Sequence, residues 1–430
     1  LPMRHRSIQS KLFLRNRKNL GKLLPKKALA ISNANDVLPS NADGTLPFHP
    51  NSDLFYLSGI EQEESRLVLF PSCSNPKHRE ILFIREPNEH LKIWEGYKHN
   101  KEDAGKISGI QTVYWIQDFD DIFQLLAAEA DVFYLNSNEH NRADNEVETR
   151  DQRLNQEIQK KYPLHRIERL APYLHDLRFC KSAEEIKLIK QAIEVTSQGF
   201  HQVLRMVKPG VKEYEIEAEW AREFIRRRSK FAYTPIVASG ANACVLHYLQ
   251  NDQACKKGDL LLMDVGACYA NFNADLSRTI PVSGKFTRRQ KQVYNSVLRV
   301  LRQSIRNATV GKSLKEWQTD AHDLMTEEML RLKLITPSQV KKQDPEKPAC
   351  RKYFMHGLGH SLGLDVHDVS NGQSEFRENS VFTVEPGIYL PEEGFGIRLE
   401  DNIQITQDGP KNLMANIPIE IEEIEQIMNH

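Results

Sequence analysis

Between Leu260 and Ile405, four stretches read as apolar strands, and each carries a carboxylate where such a strand should carry none. The first pair is Leu260-Leu-Leu-Met-Asp264-Val-Gly266 and Asn273-Ala-Asp275-Leu-Ser-Arg-Thr-Ile280. The second is Val381-Phe-Thr-Val-Glu385-Pro-Gly387 and Gly396-Ile-Arg398-Leu-Glu400-Asp-Asn-Ile-Gln-Ile405. An ionised carboxylate inside a Leu/Val/Ile strand is costly to bury unless a partner or a cation compensates it. Between the pairs lies a Gly-rich histidine segment, Met355-His356-Gly-Leu-Gly-His360-Ser-Leu-Gly-Leu-Asp-Val-His367-Asp. A chain with this pattern must bring positive charge to the acids, and that requirement locates its function.

Bulk properties narrow the class. At 430 residues the chain exceeds one ordinary core, so two domains are expected. Lys+Arg and Asp+Glu are both 58, which gives no reason to expect a nucleic-acid or anionic-membrane partner. No apolar run approaches a membrane span. Six cysteines (73, 180, 244, 255, 268, 350) show no regular spacing, as expected for reduced thiols in a cytoplasmic protein. The first 30 residues hold nine Lys or Arg and no acid, a composition compatible with a transit peptide. An amphipathic helix is the favoured reading, because Leu12, Leu14, Leu20 and Leu23 need a core to face.

Residues 1–172 alternate short strands (Lys27–Ile31, Leu67–Phe70, Ile81–Ile84, Val132–Leu135) with helices (Asp118–Ala130, Arg150–Lys161), a mixed α/β domain. Asn41 to Leu57 reads as a long polar loop running into an aromatic strand. A boundary is expected near Pro172, so the second domain covers 173–430. There Ser182-Ala-Glu-Glu185 makes a capping box, opening a helix with Ile186, Ile189, Ile193, Thr196, Phe200 and Val203 on one face. A helix after Pro209-Gly210 turns Tyr214, Ile216, Trp220 and Phe224 inward. Arg288–Ile305 and Leu314–Leu332 are also helical. Helix pairs thus alternate with acidic hairpins, a weak internal repeat about a pseudo-twofold axis. The acids are 11 residues apart in one hairpin (264 to 275) and 15 in the other (385 to 400), so any duplication has diverged.

Strand parity sharpens the site. Alternation puts Arg398, Glu400, Asn402 and Gln404 on one side of their strand and Ile397, Leu399, Ile403 and Ile405 on the other. Asn273, Asp275, Ser277 and Thr279 likewise share a face. Solvated charges on an exposed edge would explain either strand alone, but not Leu260–Val265 and Val381–Val384, which are apolar on both faces. Taking Asp264, Asp275, Glu385 and Glu400 as ligands with His360 as the one nitrogen donor, four negative charges balance two divalent ions. Two metals sharing carboxylates suit hydrolysis by a metal-activated water. Oxygen-rich ligation with one imidazole favours Mn²⁺. Cys268 is read as a packed thiol, and His49, His165 and His201 as structural or surface residues. His356 and His360 have ligand spacing, but the glycines between them argue against a regular helix and against a zinc-protease HExxH motif. His247, after a Gly240–Leu246 strand and turn, and His367 could stabilise charge on a tetrahedral intermediate.

This constellation resembles the metallopeptidase family with the pita-bread fold, which includes methionine aminopeptidase, prolidase, creatinase and aminopeptidase P. The family's ordered Asp, Asp, His, Glu, Glu set matches Asp264, Asp275, His360, Glu385 and Glu400. The stretches Asn51–Gly59, Ile93-Trp94-Glu-Gly96, Leu246-His247-Tyr248, Asp264–Ala267, Asp275–Thr279, His356–His360, Gly363–Asp368, Val384–Tyr389 and Gly396–Asp401 look like those of the bacterial aminopeptidase P (Xaa-Pro aminopeptidase) branch. The resemblance implies an α/β (α+β) architecture, with a creatinase-like N-terminal domain followed by a pita-bread catalytic domain. It also implies that Asp275 and Glu400 bridge two Mn²⁺ ions, that Asp264 holds one, and that His360 and Glu385 hold the other. Glu385 would shuttle the proton, His247, His367 and His356 would contact substrate and intermediate, and Arg398 would order the cluster. Trp94 and Tyr389 match positions near the substrate pocket. The N-terminal domain would restrict access and help build a homodimer or homotetramer.

The implied substrates are peptides with proline second. An Xaa-Pro nitrogen carries no hydrogen, so the site must recognise the ring by shape and supply a proton to the departing nitrogen. Two alternatives stand beside this: prolidase, with the same chemistry on dipeptides, and a non-catalytic binding protein on the same fold. The N-terminal motifs favour the aminopeptidase, and the complete ligand set disfavours the binding protein.

Overall fold

The apolar runs of the N-terminal half close into one mixed sheet. Its strands are β1 (Ala28–Asn33), β2 (Arg66–Leu69), β3 (Glu80–Ile84), β4 (Thr112–Trp115), β5 (Val132–Leu135) and β6 (Arg166–Arg169), in the order β4-β3-β2-β1-β5-β6. β1 runs antiparallel to β2 and parallel to β5. The structure is a computed structural model and describes residues 5–140, 142, 146–370 and 372–430; Arg4 of the basic run lies outside these. The chain divides into two compact units, Leu1–Arg178 and Phe179–His430, and Pro172 sits in the helix Ala171–Phe179.

In the first unit, Phe119, Phe123 and Leu126 of one helix and Leu154 and Ile158 of another pack on Leu29, Ile31, Phe83 and Phe133 of the sheet. The basic first segment is helical over Lys11–Leu23, but its buried face is not the expected one. Leu12 and Leu20 are buried with Phe13, Asn16 and Arg17, whereas Leu14 and Leu23 are 47% and 42% exposed. At 3.6 residues per turn Leu14 lies roughly 200° around the helix from Leu12. Arg17 is buried because its guanidinium donates to the carbonyls of Leu57 and Ser108 and pairs with Glu80. The expected aromatic strand before Gly59 is instead a helix, Ser52–Ser58. Asn51 caps it by accepting from the N–H groups of Asp53 and Leu54, and Gly59 ends it in the left-handed region at φ 69°. These two caps outweigh the β preference of Phe55 and Tyr56.

The second unit contains β7 (Lys230–Phe231), β8 (Ile236–Ser239), β9 (Leu260–Asp264), β10 (Ala267–Tyr269), β11 (Phe272–Asn273) and β12 (Ser277–Pro281), then β13 (Val381–Val384), β14 (Gly387–Leu390), β15 (Phe395–Arg398), β16 (Asp401–Thr406) and β17 (Gly409–Asn412). The Ser182 capping box opens the helix Ala183–Met206, and all six residues of its expected face are buried. In the next helix, Glu213–Arg226, Ile216, Trp220 and Phe224 are buried, but Tyr214 is exposed, one residue past Glu213, which takes the place on that face. Gly240–Cys244, expected as a strand, is a 3₁₀ helix following β8.

The repeat is present in the pairing. β9 pairs with β12 and β10 with β11; β13 pairs with β16 and β14 with β15. Each arm that reads as one continuous strand in the sequence is broken once, at Val265–Gly266, Ala274–Leu276, Glu385–Pro386 and Leu399–Glu400. Gly266 permits the first break, since a Cβ there would lie 1.8 Å from the carbonyl oxygen of Ala274. The four acids therefore occupy strand ends and breaks rather than strand interiors. Among the described residues no helix is long and apolar enough to cross a membrane.

Candidate metal centre

Because the four breaks face one another, they aim their acids at one point. Ligand atoms of Asp275, His360 and Glu400 all lie within 4.8 Å of one another. Glu385 flanks this triad on one side, its Oε1 3.7 Å from His360 Nε2, which is itself 3.5 Å from Asp275. Asp264 flanks the other: the Tyr233 hydroxyl lies 2.5 Å from both Asp264 and Asp275. All five expected ligands thus meet. The polar faces read from parity also hold across the break. Ser277 donates to Glu400 at 2.9 Å and receives Arg398 Nε at 2.9 Å, while Asn402 grips the backbone of Asp275 from both sides, at 2.7 and 3.1 Å.

The histidines are set by their second nitrogens. His360 Nδ1 lies 3.0 Å from the Ser361 carbonyl, a contact that fixes the ring and turns Nε2 toward the acids. The His360 backbone is fixed by a mutual pair with Thr383, whose N–H donates to His360 O at 2.9 Å and whose hydroxyl accepts from His360 N–H at 3.1 Å. A Cβ at Gly359 would lie 2.0 Å from the Thr383 carbonyl oxygen. Gly359→Ala is therefore expected to destabilise this unit by about 1–3 kcal/mol, as overpacking does, measured by denaturant unfolding. His367 stacks edge-on to His360 with ring centroids 4.1 Å apart. The next residue, Asp368, is buried and pairs with buried Lys181 at 2.8 Å. His356 Nε2 lies 2.7 Å from the Tyr389 hydroxyl, which accepts from Arg398 Nη1 at 2.9 Å; Arg398 Nη2 pairs with Asp264 at 2.7 Å. His247 is exposed on a segment whose Ala243 and Tyr248 pack against Tyr389. Trp94 ends the helix Glu89–Trp94 of the first unit and is 75% exposed.

Electrostatics show what the cluster needs. Burial, with the charges of Asp275, Glu385 and Asp264, pushes the Glu400 carboxyl well above its usual range. Burial also raises Asp264 against the pull of Arg398, and it lifts Glu385 to about 7 against His360 and Arg398. Burial would lower His360, but the Asp275 contact and the Glu385 charge outweigh it and raise it. His356 is lowered to about 4 by burial and by Arg398, so it is neutral. Four carboxylates against one guanidinium leave a net charge of −3 when all are ionised. The Tyr233 hydroxyl has one proton and two carboxylate neighbours, so one 2.5 Å contact is oxygen on oxygen. Cations at this point would relieve each of these strains, and the oxygen-rich donor set with one imidazole fits divalent ions.

Tyr233, Ser277 and Asn402 complete the cluster. Nothing in the local sequence marks Tyr233, which reaches the acids from the link between β7 and β8; Ser277 and Asn402 were at least on the faces parity assigned. Cys268 is buried in β10, as expected of a packed thiol.

Buried acids around one imidazole on a duplicated, bent hairpin define a metal-dependent hydrolase architecture. Residues 187–407 match the model of metallopeptidase family M24, and residues 13–134 match that of the aminopeptidase P N-terminal domain. The Xaa-Pro aminopeptidase of Haemophilus influenzae is 34% identical over 406 residues, covering 90% of each chain, and that of Escherichia coli is 33% identical, covering 98% of each. A zinc-substituted aminopeptidase P from Escherichia coli in complex with product superposes with a TM-score of 0.86 at 31% identity, covering 99% of each chain. The chain belongs to metallopeptidase family M24, preceded by the N-terminal domain of aminopeptidase P.

Proposed function

We propose that the protein is an Xaa-Pro aminopeptidase, releasing the first residue of peptides with proline second. The observation that carries this reading is the convergence of Asp275, His360 and Glu400 within 4.8 Å, flanked by Asp264 and Glu385. Asp264, Asp275, His360, Glu385 and Glu400 would hold divalent ions, Mn²⁺ by the donor set. Such ions supply Lewis acidity, lowering the pKa of a water and polarising a carbonyl. A net charge of −3 accommodates two divalent ions and one further anion.

Glu385 would accept the proton from the attacking water and return it to the proline nitrogen. Burial holds its carboxyl high while neighbouring cations would draw it down, which keeps it exchangeable near neutral pH. His247 and His367 would bind substrate and the developing oxyanion. The chain Arg398 to Tyr389 to His356 would hold Asp264 and the neutral His356 ring in place. Tyr389 would contribute to the substrate pocket, and the N-terminal unit to a homodimer or homotetramer. Scattered cysteines support a cytoplasmic setting.

Purified protein supplied with Mn²⁺ is expected to cleave Xaa-Pro-Xaa-Xaa peptides and to spare matched peptides without proline second, read by mass spectrometry. Cleavage of Xaa-Pro dipeptides alone would make it a prolidase. Absence of cleavage on a full panel would favour a binding protein.

A further inference from the structure

One wholly buried carboxylate stands outside this chemistry. Glu213, the first residue of the helix Glu213–Arg226, is 0% exposed, and among the described residues no lysine or arginine pairs with it. Five donors compensate it instead. Its Oε1 accepts from the Ser239 N–H and hydroxyl, both at 2.7 Å, and from Asn242 Nδ2 at 3.3 Å. Its Oε2 accepts from the Tyr248 hydroxyl at 2.7 Å and from the Gln253 N–H at 2.9 Å. A carboxylate is the only side chain that offers two acceptor oxygens and no competing donor.

All five donors belong to one segment, 239–253, and include both of its ends. His247, which is exposed, directly precedes Tyr248 in it. The segment is also held from the β15 side: the Ala243 carbonyl would lie 2.7 Å from a Cβ at Gly396, and Cys244 Sγ donates to the Phe395 carbonyl at 3.4 Å. The segment that carries His247 is therefore held along its length, by Glu213 on one side and β15 on the other.

We propose that Glu213 is a positioning residue, a buried anion that holds segment 239–253 so that His247 meets the substrate. This rests on the Xaa-Pro peptidase reading, in which His247 contacts substrate. In Glu213→Gln the carboxamide turns an N–H₂ toward donors and must leave some of them unpaired.

The test is a double-mutant cycle of Glu213→Gln and His247→Ala in the metal-loaded protein, with metal content measured alongside. Glu213→Gln is expected to lower kcat/KM by about 10–100-fold at unchanged metal content, and by less than about 3-fold further when His247 is already alanine. Equal losses in both backgrounds, or wild-type kcat/KM in the single variant, overturn the proposal. If Glu213→Gln does not fold, Tyr248→Phe and Ser239→Ala each remove one donor and are expected to show the same non-additivity; additive losses there also overturn it. A readout independent of turnover is the NMR signal of the His247 imidazole, expected to shift or broaden in these variants. An unmoved signal sinks the positioning role, whereas a wild-type protein that cleaves no Xaa-Pro peptide sinks the peptidase reading instead.

Discussion

Chelating the divalent ions is expected to abolish turnover and lower the thermal midpoint, by more at pH 8 than at pH 5. Ions at 100 to 1,000 times their dissociation constant stabilise a fold by about 2.7–4.1 kcal/mol, which is roughly 5–15 °C for a unit of this size. The pH dependence follows from the raised carboxyls. Glu385 stands at about 7 in the metal-free fold against 4.5 unfolded. Below pH 4.5 both states hold the proton, and Glu385 contributes no penalty. Between 4.5 and 7 the unfolded chain has released its proton while the folded site retains it, so rising pH favours unfolding. Asp264 and Glu400, also raised, act in the same direction. Metal binding needs ionised ligands, so it strengthens over the same window. The gap between loaded and stripped protein must therefore widen as pH rises, and differential scanning calorimetry reads it. Glu400→Gln should raise the midpoint of the stripped protein and remove the gain from added Mn²⁺. A gap that narrows with pH would show that the acids are balanced by something other than cations.

The acids of this site were readable because the free energy of burying charge is a local signal: a carboxylate among Leu and Val residues stands out without any partner being known. The partners were not readable on the same terms. Tyr233 reaches Asp264 and Asp275, Lys181 reaches Asp368, and Arg278 donates to the Glu400 carbonyl and to Asp401, each across many residues and with no periodicity to connect them. Parity assigned the faces of β12, β15 and β16 correctly because side-chain alternation survives a short break. It could not find the breaks themselves, which depend on contacts such as Gly266 against the Ala274 carbonyl. The N-terminal half shows the complementary failure. Arg17, read as one charge of a basic run, is buried because carbonyls of Leu57 and Ser108, distant in sequence, converge on it. In Ser52–Ser58 the capping residues Asn51 and Gly59 decide the conformation against the β preference of the aromatic run between them.

Glu385 and Glu400 would both hold metal, but only Glu385 is expected to carry the proton as well. Glu385→Gln should lower kcat by about 10²–10⁴, the span of a lost general acid–base group, with KM for an Xaa-Pro peptide within about 3-fold of wild type, as for an interaction made only in the transition state. The proline nitrogen carries no hydrogen and leaves as an amine only after gaining a proton, so a site without a proton carrier stalls at bond cleavage even when water attack proceeds. Glu385 is suited to carry it because it sits at the edge of the cluster, 3.7 Å from His360 Nε2, rather than between its acids. Glu400 occupies the central position with Asp275 and His360, so its loss should release metal first and activity as a consequence. Steady-state kinetics with metal analysis on both variants distinguishes the two. If Glu385→Gln keeps its metal and loses less than 10-fold in kcat, the proton reaches the leaving nitrogen by another route. If both variants lose metal and activity in parallel, Glu385 is a ligand and nothing more.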